Sequence, residues 1–332
     1  MELSVIIPVY NSEKTVRECV SSILNSDFDR DFEVVVVDDG STDRSIEKIK
    51  NLNVRIVRQE NKGAAAARNT GARHTRSNLL VFVDSDVTFF KDTLRRIYGH
   101  LAKDDVDYVS VRYSKRPLNQ GCIHRYKALA DYSYYYDFAY TKEQKRGLIR
   151  QTNISGGTEG YKKRIFDELG GFDEKVKGAN IEREKLIAKL AQGNNMIADG
   201  KIRTNHYYPG FRKITKEYFK RTFHSMDLAV NKNYYSQPYM RQNSFRVALG
   251  ALSAIMLTLS SALFLIFGYI WPFGLTLAVF LSYLSAHLNM FITAYREYGF
   301  LFTLYTLTMN LFFCLLISAA GFLGLVKTLL KR

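Results

Sequence analysis

Two hydrophobic patterns share this chain. In the first two thirds, short apolar runs alternate with helical periodicity; the last third is almost continuously apolar. Leu79-Leu80-Val81-Phe82-Val83 is a run of strand length bounded by polar segments, and it ends in Asp84-Ser85-Asp86. Such a run predicts a strand buried on both faces of a sheet. Ser4-Val5-Ile6-Ile7-Pro8-Val9-Tyr10 is a second strand candidate. Asn11 or Ser12 then serves as N-cap to a helix with Val16, Cys19, Val20, Ile23 and Leu24 on one face. Glu33-Val34-Val35-Val36-Val37 is a third, ending in Asp38-Asp39-Gly40-Ser41-Thr42-Asp43. Val54-Arg55-Ile56-Val57 leads through Glu60-Asn61-Lys62-Gly63 into a helix carrying Ala64–Ala67, Arg68, Asn69 and Gly71. Strands alternating with helices imply an α/β domain with a parallel sheet and right-handed crossovers.

This order has a chemical consequence. Side chains alternate along a strand, so Asp84 and Asp86 are expected to point the same way just past its carboxyl end. Open α/β sheets bind ligands at that edge, and Asp38/Asp39 and Lys62–Asn69 gather there too. Two such carboxylates suit Mg²⁺ or Mn²⁺, which in turn would hold a diphosphate.

Pro8-Val9-Tyr10-Asn11, Val37-Asp38-Asp39-Gly40-Ser41-Thr42-Asp43, Asn61-Lys62-Gly63 with Ala67-Arg68-Asn69-x-Gly71, and Asp84-Ser85-Asp86 together resemble the family 2 glycosyltransferases. Gly170-Gly171-Phe172-Asp173-Glu174 looks like that family's acceptor-side turn, and the resemblance covers about residues 2–230. It implies a GT-A fold, Rossmann-like with a mostly parallel sheet. It also implies a UDP- or GDP-sugar donor, a divalent metal and hexosyl-type transfer with inversion. By the same resemblance Pro8, Tyr10, Asp39, Lys62, Arg68, Asp84 and Ser85 contact the nucleotide-sugar, with Asp39 on the base and Arg68 on base or phosphate. Asp86 is the metal ligand, and His206 is a candidate for another, since some relatives place a ligand there.

At one position the chain departs from this pattern. Many family members carry Glu-Asp before a helix, the Asp deprotonating the acceptor; here Glu182 is followed by Arg183. An arginine stays protonated and is no general base. Three readings follow: Glu184 or Glu182 supplies the base; the acceptor is a lipid phosphate that needs none, with Arg183 binding it; or the protein is a non-catalytic nucleotide-sugar-binding scaffold.

The apolar third extends the picture to a membrane. Val247–Tyr295 is an uncharged run of 49 residues, interrupted only by Gly268–Gly274, and Tyr298–Val326 is uncharged again. About 20 residues span a bilayer, so three helices are the simplest count. A re-entrant or interfacial last segment, containing Asn310 and Gly321, is the alternative, because three spans would put Lys327, Lys331 and Arg332 outside. The expected organisation is a catalytic domain over 1–240, with a basic juxtamembrane segment from about 200 to 246, and a transmembrane module over 247–332. That makes a multi-pass cell-membrane protein with its catalytic domain in the cytoplasm and a lipid-linked acceptor, in cell-envelope glycan or glycolipid synthesis.

Charge supports the membrane and excludes nucleic acid. The net charge is +15, but no nucleic-acid motif accompanies it. Lys201, Arg203, Arg212, Lys213, Lys216, Lys220, Arg221, Lys232, Arg241 and Arg246 instead cluster before the apolar third, where they would attract anionic lipid head groups. Cys19, Cys122 and Cys314 are too scattered for a structural zinc site and fit a reducing compartment. The aromatic stretch Asp131–Tyr140 belongs to an insert over about 113–150, expected on the acceptor side.

Overall fold

The computed structural model describes residues 1–139, 148–150, 157–175, 182–229, 253, 255–256, 259–266 and 272–330. For 134–139, 148–150, 184, 225, 227–229 and 272–276 the backbone alone is described. The chain forms two compact units, Met1–Gln120 with Tyr134–Tyr208, and Gly121–Ser133 with Pro209–Arg332.

Unit one is built on a sheet of nine strands: β1 (Leu3–Val9), β2 (Phe32–Asp38), β3 (Arg55–Arg58), β4 (Leu79–Val83), β5 (Val87–Phe89), β6 (Tyr108–Tyr113), β7 (Leu148–Arg150), β8 (Thr158–Lys162) and β9 (Met196–His206). Their order is β3-β2-β1-β4-β8-β6-β9-β5, with β7 on β9. The expected parallel half is present: β1 pairs with β2 and β4, and β2 with β3, all parallel. Beyond β4 the sheet becomes mixed, because β8 runs antiparallel to both β4 and β6. The helices are α1 (Val16–Leu24), α2 (Ala64–His74), α3 (Thr93–Leu101), α5 (Lys163–Glu168) and α6 (Glu182–Leu190), while α4 (Cys122–Ala139) belongs to unit two through Ser133.

Alternation along β1 decides which helix covers which face. Val5, Ile7 and Val9 point to one core with Val16, Cys19, Val20 and Ile23 of α1. Ile6 points to the other, with Val35, Val37 and the alanines of α2. Those alanines, and Gly71, let α2 lie close on the sheet: a Cβ at Gly71 would come within 2.3 Å of Ile6 Cγ2. One expectation is corrected. The first helix begins only at Val16, and neither the Asn11 nor the Ser12 side chain caps it. Asn11 adopts φ 49°, and its side-chain oxygen accepts from the Thr42 and Asp43 amides, so it fastens the β1 loop to the β2 loop.

Unit two contains the start of α4 together with α7 (Phe211–Ala229), α8 (Pro272–Ala286), α9 (Leu288–Tyr298) and α10 (Phe300–Leu330). Tyr126, Ile214, Tyr283, Phe291, Phe302 and Phe313 lie in its core. Among the described residues one helix, α10, is long and apolar enough to cross a membrane. The expected span reaching Tyr295 is instead bent by 70° between Leu277–Ala286 and Leu288–Tyr298, and only if that pair counts as one does the number rise to two. Asn310 does not interrupt α10 because its amide is satisfied, donating to the Tyr283 hydroxyl at 3.1 Å. Of the expected basic and apolar segment, 230–252, 254, 257–258, 267–271 and 331–332 lie outside the described residues, as do 140–147 of the aromatic insert.

Candidate active site

The parallel strands end in loops that are tied to one another. Ser12 Oγ and Ser85 Oγ lie 2.8 Å apart, joining the loop after β1 to the loop after β4. The Asn11 amide donates to Ser41 Oγ and the Ser41 amide to Asp38 Oδ1. Pro8 sits half-buried in β1 opposite Val37, and Tyr10 stands exposed at the strand's end.

Asp39 is buried and already well occupied. Its Oδ1 accepts from Gln59 Nε2 (2.7 Å) and the Lys62 amide (2.9 Å), and its Oδ2 from the Gly63 amide (2.8 Å). These bonds hold the loop that launches α2 and leave the Lys62 side chain exposed. A carboxylate has about four lone-pair positions, so one remains for an incoming N–H.

Arg68, Asp84 and Arg183 form the centre of a buried ionic cluster. Arg68 donates to Asp84 Oδ1 at 2.8 Å and to Glu182 Oε1 at 2.9 Å, with its guanidinium 5.4 Å from the Phe172 ring. Arg183 grips Asp84 with two nitrogens, at 3.0 Å to Oδ2 and 2.7 Å to Oδ1. Its Nε lies 2.9 Å from Glu159 Oε1. Glu159, the second residue of β8, is fully buried and also accepts from the Tyr161 hydroxyl at 2.9 Å. Burial acts to raise the Asp84 carboxyl, but the Arg183 and Arg68 charges overcome it and hold the group well below the usual carboxylate range. At Glu159 burial prevails over the same two arginines and pushes the carboxyl up.

Asn69, next to Arg68 on α2, secures the turn expected on the acceptor side. Its side chain donates to the Phe172 carbonyl and to Glu174, and accepts from the Phe172 amide. Gly157 brings the start of β8 against Asp84: its carbonyl accepts from the Asp84 amide, and a Cβ there would lie 2.3 Å from Tyr113 Oη and 3.0 Å from Asp84 Oδ2.

Asp86 has a different environment from Asp84. Its side chain is 42% exposed, and His206 Nε2 lies 3.3 Å from its Oδ1. The antiparallel register Val87↔His206 brings the two together, and the His206 ring stacks on Tyr113 at 4.5 Å. The two aspartates expected to act side by side thus differ: Asp84 is held by two arginines, and Asp86 is open. Among the described residues no three His, Cys, Asp or Glu converge on a metal site. A cation here would take Asp86 and His206, a hard oxygen and an imidazole nitrogen, with its remaining positions filled by ligand oxygens and water. That donor set fits Mn²⁺ or Mg²⁺.

A family model described as Glycosyl transferase family 2 matches residues 4–170. The chain belongs to that family. It is 32% identical over 184 residues to "Glycosyltransferase GlyA" of Streptococcus pneumoniae serotype 4, covering 51% of this chain and 25% of that protein. It is 41% identical over 119 residues to the poly(ribitol-phosphate) beta-N-acetylglucosaminyltransferase TarS of Staphylococcus aureus strain Mu50, covering 34% and 21%. The match thus spans about a quarter of these curated relatives' length. A structure of the mannosyltransferase PcManGT from Pyrobaculum calidifontis, in complex with GDP-Man and Mn²⁺, covers 100% of this chain and 88% of its own, with TM-score 0.56 and 18% identity. That likeness establishes the GT-A fold of this glycosyltransferase.

Sequence reasoning identified Asp39, Arg68, Asp84, Asp86, Glu182, Arg183 and His206 without their pairings. Glu182 is almost completely buried on Arg68, and Arg183 is held by Asp84 and Glu159. Neither is presented to a ligand as a free base or a free phosphate binder. Glu184 lies on α6, two positions beyond Glu182. Glu159 went unnoticed: in Thr158-Glu159-Gly160 a lone acid between polar residues carries no hydrophobic signal.

Proposed function

We propose that this enzyme transfers a hexosyl group from a nucleotide-diphospho-sugar to a lipid-linked acceptor, with inversion, at a membrane surface in cell-envelope glycan synthesis. The carrying observation is the division of labour at the ends of the parallel strands. A nucleotide-anchoring edge (Asp39, the Lys62 loop, Tyr10) adjoins a rigid ionic floor (Arg68, Asp84, Arg183) and an open Asp86–His206 pair. PcManGT, which by its title binds GDP-Man and Mn²⁺, and TarS, which by its name transfers N-acetylglucosamine to poly(ribitol-phosphate), support the donor class and the cation.

In this reading Asp39 accepts from the base through its remaining lone pair, and Tyr10 offers a face to stack on it. Asp84, fixed by two arginines, presents its remaining lone pair toward the ribose, and Ser85 fixes the loop. Asp86 and His206 would hold the cation, which offsets negative charge on the departing nucleoside diphosphate. The acceptor oxygen attacks C1 opposite the leaving group, forming the new C1–O bond as the bond to the diphosphate breaks. Glu182 positions Arg68, which leaves Glu184 as the base for a hydroxyl acceptor. The catalytic domain occupies about 1–240 and faces the cytoplasm, and 247–332 is the membrane module.

A second reading has a specific observation behind it. With Arg183 at the position where relatives carry an acid, and Glu182 bound to Arg68, the site suits an acceptor that is already ionised, such as a polyprenyl phosphate. Glu182→Gln and Glu184→Gln, tested against a polyprenyl phosphate and a polyprenyl-diphosphate-sugar, separate the two. Loss of transfer in Glu184→Gln alone supports the hydroxyl acceptor. Transfer to the bare phosphate, insensitive to Glu184→Gln, supports the other.

A further inference from the structure

Helices α7 and α10 of unit two lie side by side and run in the same direction. Phe211 packs on Phe312 at 5.5 Å, Thr222 lies opposite Gly321, and Phe223 and Met226 close on Gly324. The Lys327 ammonium lies 4.9 Å from the Phe223 ring. The contact therefore runs from about 312 to 327 on α10, some 22 Å at about 1.5 Å per residue. It exists because α10 offers no bulk there: a Cβ on Gly324 would meet the Phe223 carbonyl at 2.5 Å.

Two rows of side chains follow α7 at four-residue spacing. Arg212, Lys216, Lys220 and His224 form one; Thr215, Phe219 and Phe223 form the other. Together with Leu316 of α10 they line a groove of about 550 Å³ whose surface is almost wholly apolar, aromatic rings facing the aliphatic stems of the basic residues. Arg212, Lys216 and Lys220 are exposed, and no acid pairs with them among the described residues.

The outward side of α10 has the opposite character. Leu301, Leu304, Phe312, Phe322, Leu323, Val326, Leu329 and Leu330 are exposed and fall on one side of the helix. The buried Phe302, Thr306, Asn310, Phe313, Ala320, Gly324 and Thr328 fall on the other. An apolar stripe beside a row of cations is the pattern of a helix pair lying in a bilayer interface. A crossing α10 would carry Arg212, Lys216 and Lys220 into the hydrocarbon, where such charges are strongly disfavoured.

We propose that the α7–α10 groove is a docking site for the phosphate head groups of anionic phospholipids, so that the C-terminal half of α10 lies along the bilayer surface instead of crossing it. The cations take the phosphates, Phe219 and Phe223 sit at the level of the glycerol and upper acyl chains, and the α10 stripe enters the acyl boundary. Lys327 then stays on the side of α7. This rests on the membrane-surface reading above and supplies its lipid chemistry.

The test is binding of the purified full chain to phosphatidylcholine vesicles with and without about one third phosphatidylglycerol, at low and high salt. The triple variant Arg212→Gln/Lys216→Gln/Lys220→Gln is compared with wild type. Each cation near an anionic surface is worth about fivefold in affinity, so the triple change should cost about a hundredfold on anionic vesicles and nothing on neutral ones. Lys213→Gln, off the row and 3.9 Å from Glu217, is the helix-integrity control and should lose much less. Alkaline carbonate should release the bound protein. Equal binding of wild type to neutral and anionic vesicles, or retention of full binding by the triple variant, overturns the phosphate site while leaving membrane attachment in place. Resistance to carbonate extraction overturns the surface orientation of α10. Absence of binding to either vesicle overturns this proposal together with the membrane reading on which it rests.

Discussion

Arg183→Met is the perturbation that most sharply examines the ionic floor of the site. Arg183 contacts Asp84 through two nitrogens and Glu159 through a third, and Glu159 has no solvent exposure. Asp84, Glu159 and Glu182 against Arg68 and Arg183 carry one net negative charge; without Arg183 there are two. Removing one partner of a buried ion pair costs about 3–5 kcal/mol, because the abandoned charge cannot return to water. At about 2–4 °C per kcal/mol for a domain of this size, the variant should melt roughly 10 °C below wild type. Adding Glu159→Gln removes the abandoned charge and keeps an acceptor for Tyr161, so the double variant should recover about 1–3 kcal/mol of that loss. The assay is thermal unfolding of the full chain, with the four proteins forming a double-mutant cycle.

A pH signature distinguishes this from simple loss of packing. The Glu159 carboxyl lies above its ordinary value in the folded protein, so protonation favours folding. Its contribution is complete below the unfolded-state value and fades as pH rises through the folded one. Arg183 holds that value down, so without it the value climbs further. Asp84 is the opposite case: its depressed carboxyl contributes stability at neutral pH that is lost only as pH falls through the low folded value, and losing Arg183 shrinks that contribution. The Glu159 effect narrows the gap between variant and wild type as pH falls from neutrality toward the ordinary carboxylate range, while the Asp84 effect acts only at still lower pH. A melt within about 2 °C of wild type, a double variant no better than the single, or a gap that widens on acidification refutes the reasoning.

Other expectations follow from single contacts. Asn69→Ala removes three bonds to the Phe172–Glu174 turn and should lower stability by about 1–3 kcal/mol in urea unfolding, and transfer activity with it. Gly157→Ala places a Cβ 2.3 Å from Tyr113 Oη at a φ of 70°, and should cost about 2 kcal/mol or more, read as a shifted denaturant midpoint. His206→Ala should raise the Mn²⁺ concentration for half-maximal transfer by about tenfold to a hundredfold with little change in melting temperature; loss of an outer partner alone has effects of that size.

The parallel half of the fold was legible because its strands are apolar runs that end abruptly in polar loops: β1, β2 and β4 lie within a residue or two of where Ser4–Tyr10, Glu33–Val37 and Leu79–Val83 placed them. The mixed half was not. Thr158–Lys162 and Met196–His206 carry glycine, lysine and acids, and they form strands because β4 and β6 provide edges to pair with. The site shows the same split. Asp86 and the Arg68–Asn69 dipeptide announce themselves locally, whereas the partners of Arg183 are Asp84, 99 residues away on the loop after β4, and Glu159 on β8. Arg183 was visible as a departure from the family pattern; that it clamps Asp84 could be known only from tertiary pairing. In unit two, hydropathy alone suggested three crossings. The bend at His287 and the basic row of α7 beside α10 depend on packing that hydropathy does not record.

The measurement that bears most directly on the central claim is sugar transfer by the purified full chain. UDP- and GDP-sugars are offered with Mn²⁺ or Mg²⁺ to polyprenyl-linked acceptors, with Asp86→Ala and a chelator as controls. The account predicts transfer from one donor class that needs the cation and falls by about 10²–10³-fold or more in Asp86→Ala. Transfer that survives both chelation and Asp86→Ala, or neither transfer nor donor hydrolysis above that variant's level with any sugar nucleotide, would contradict it.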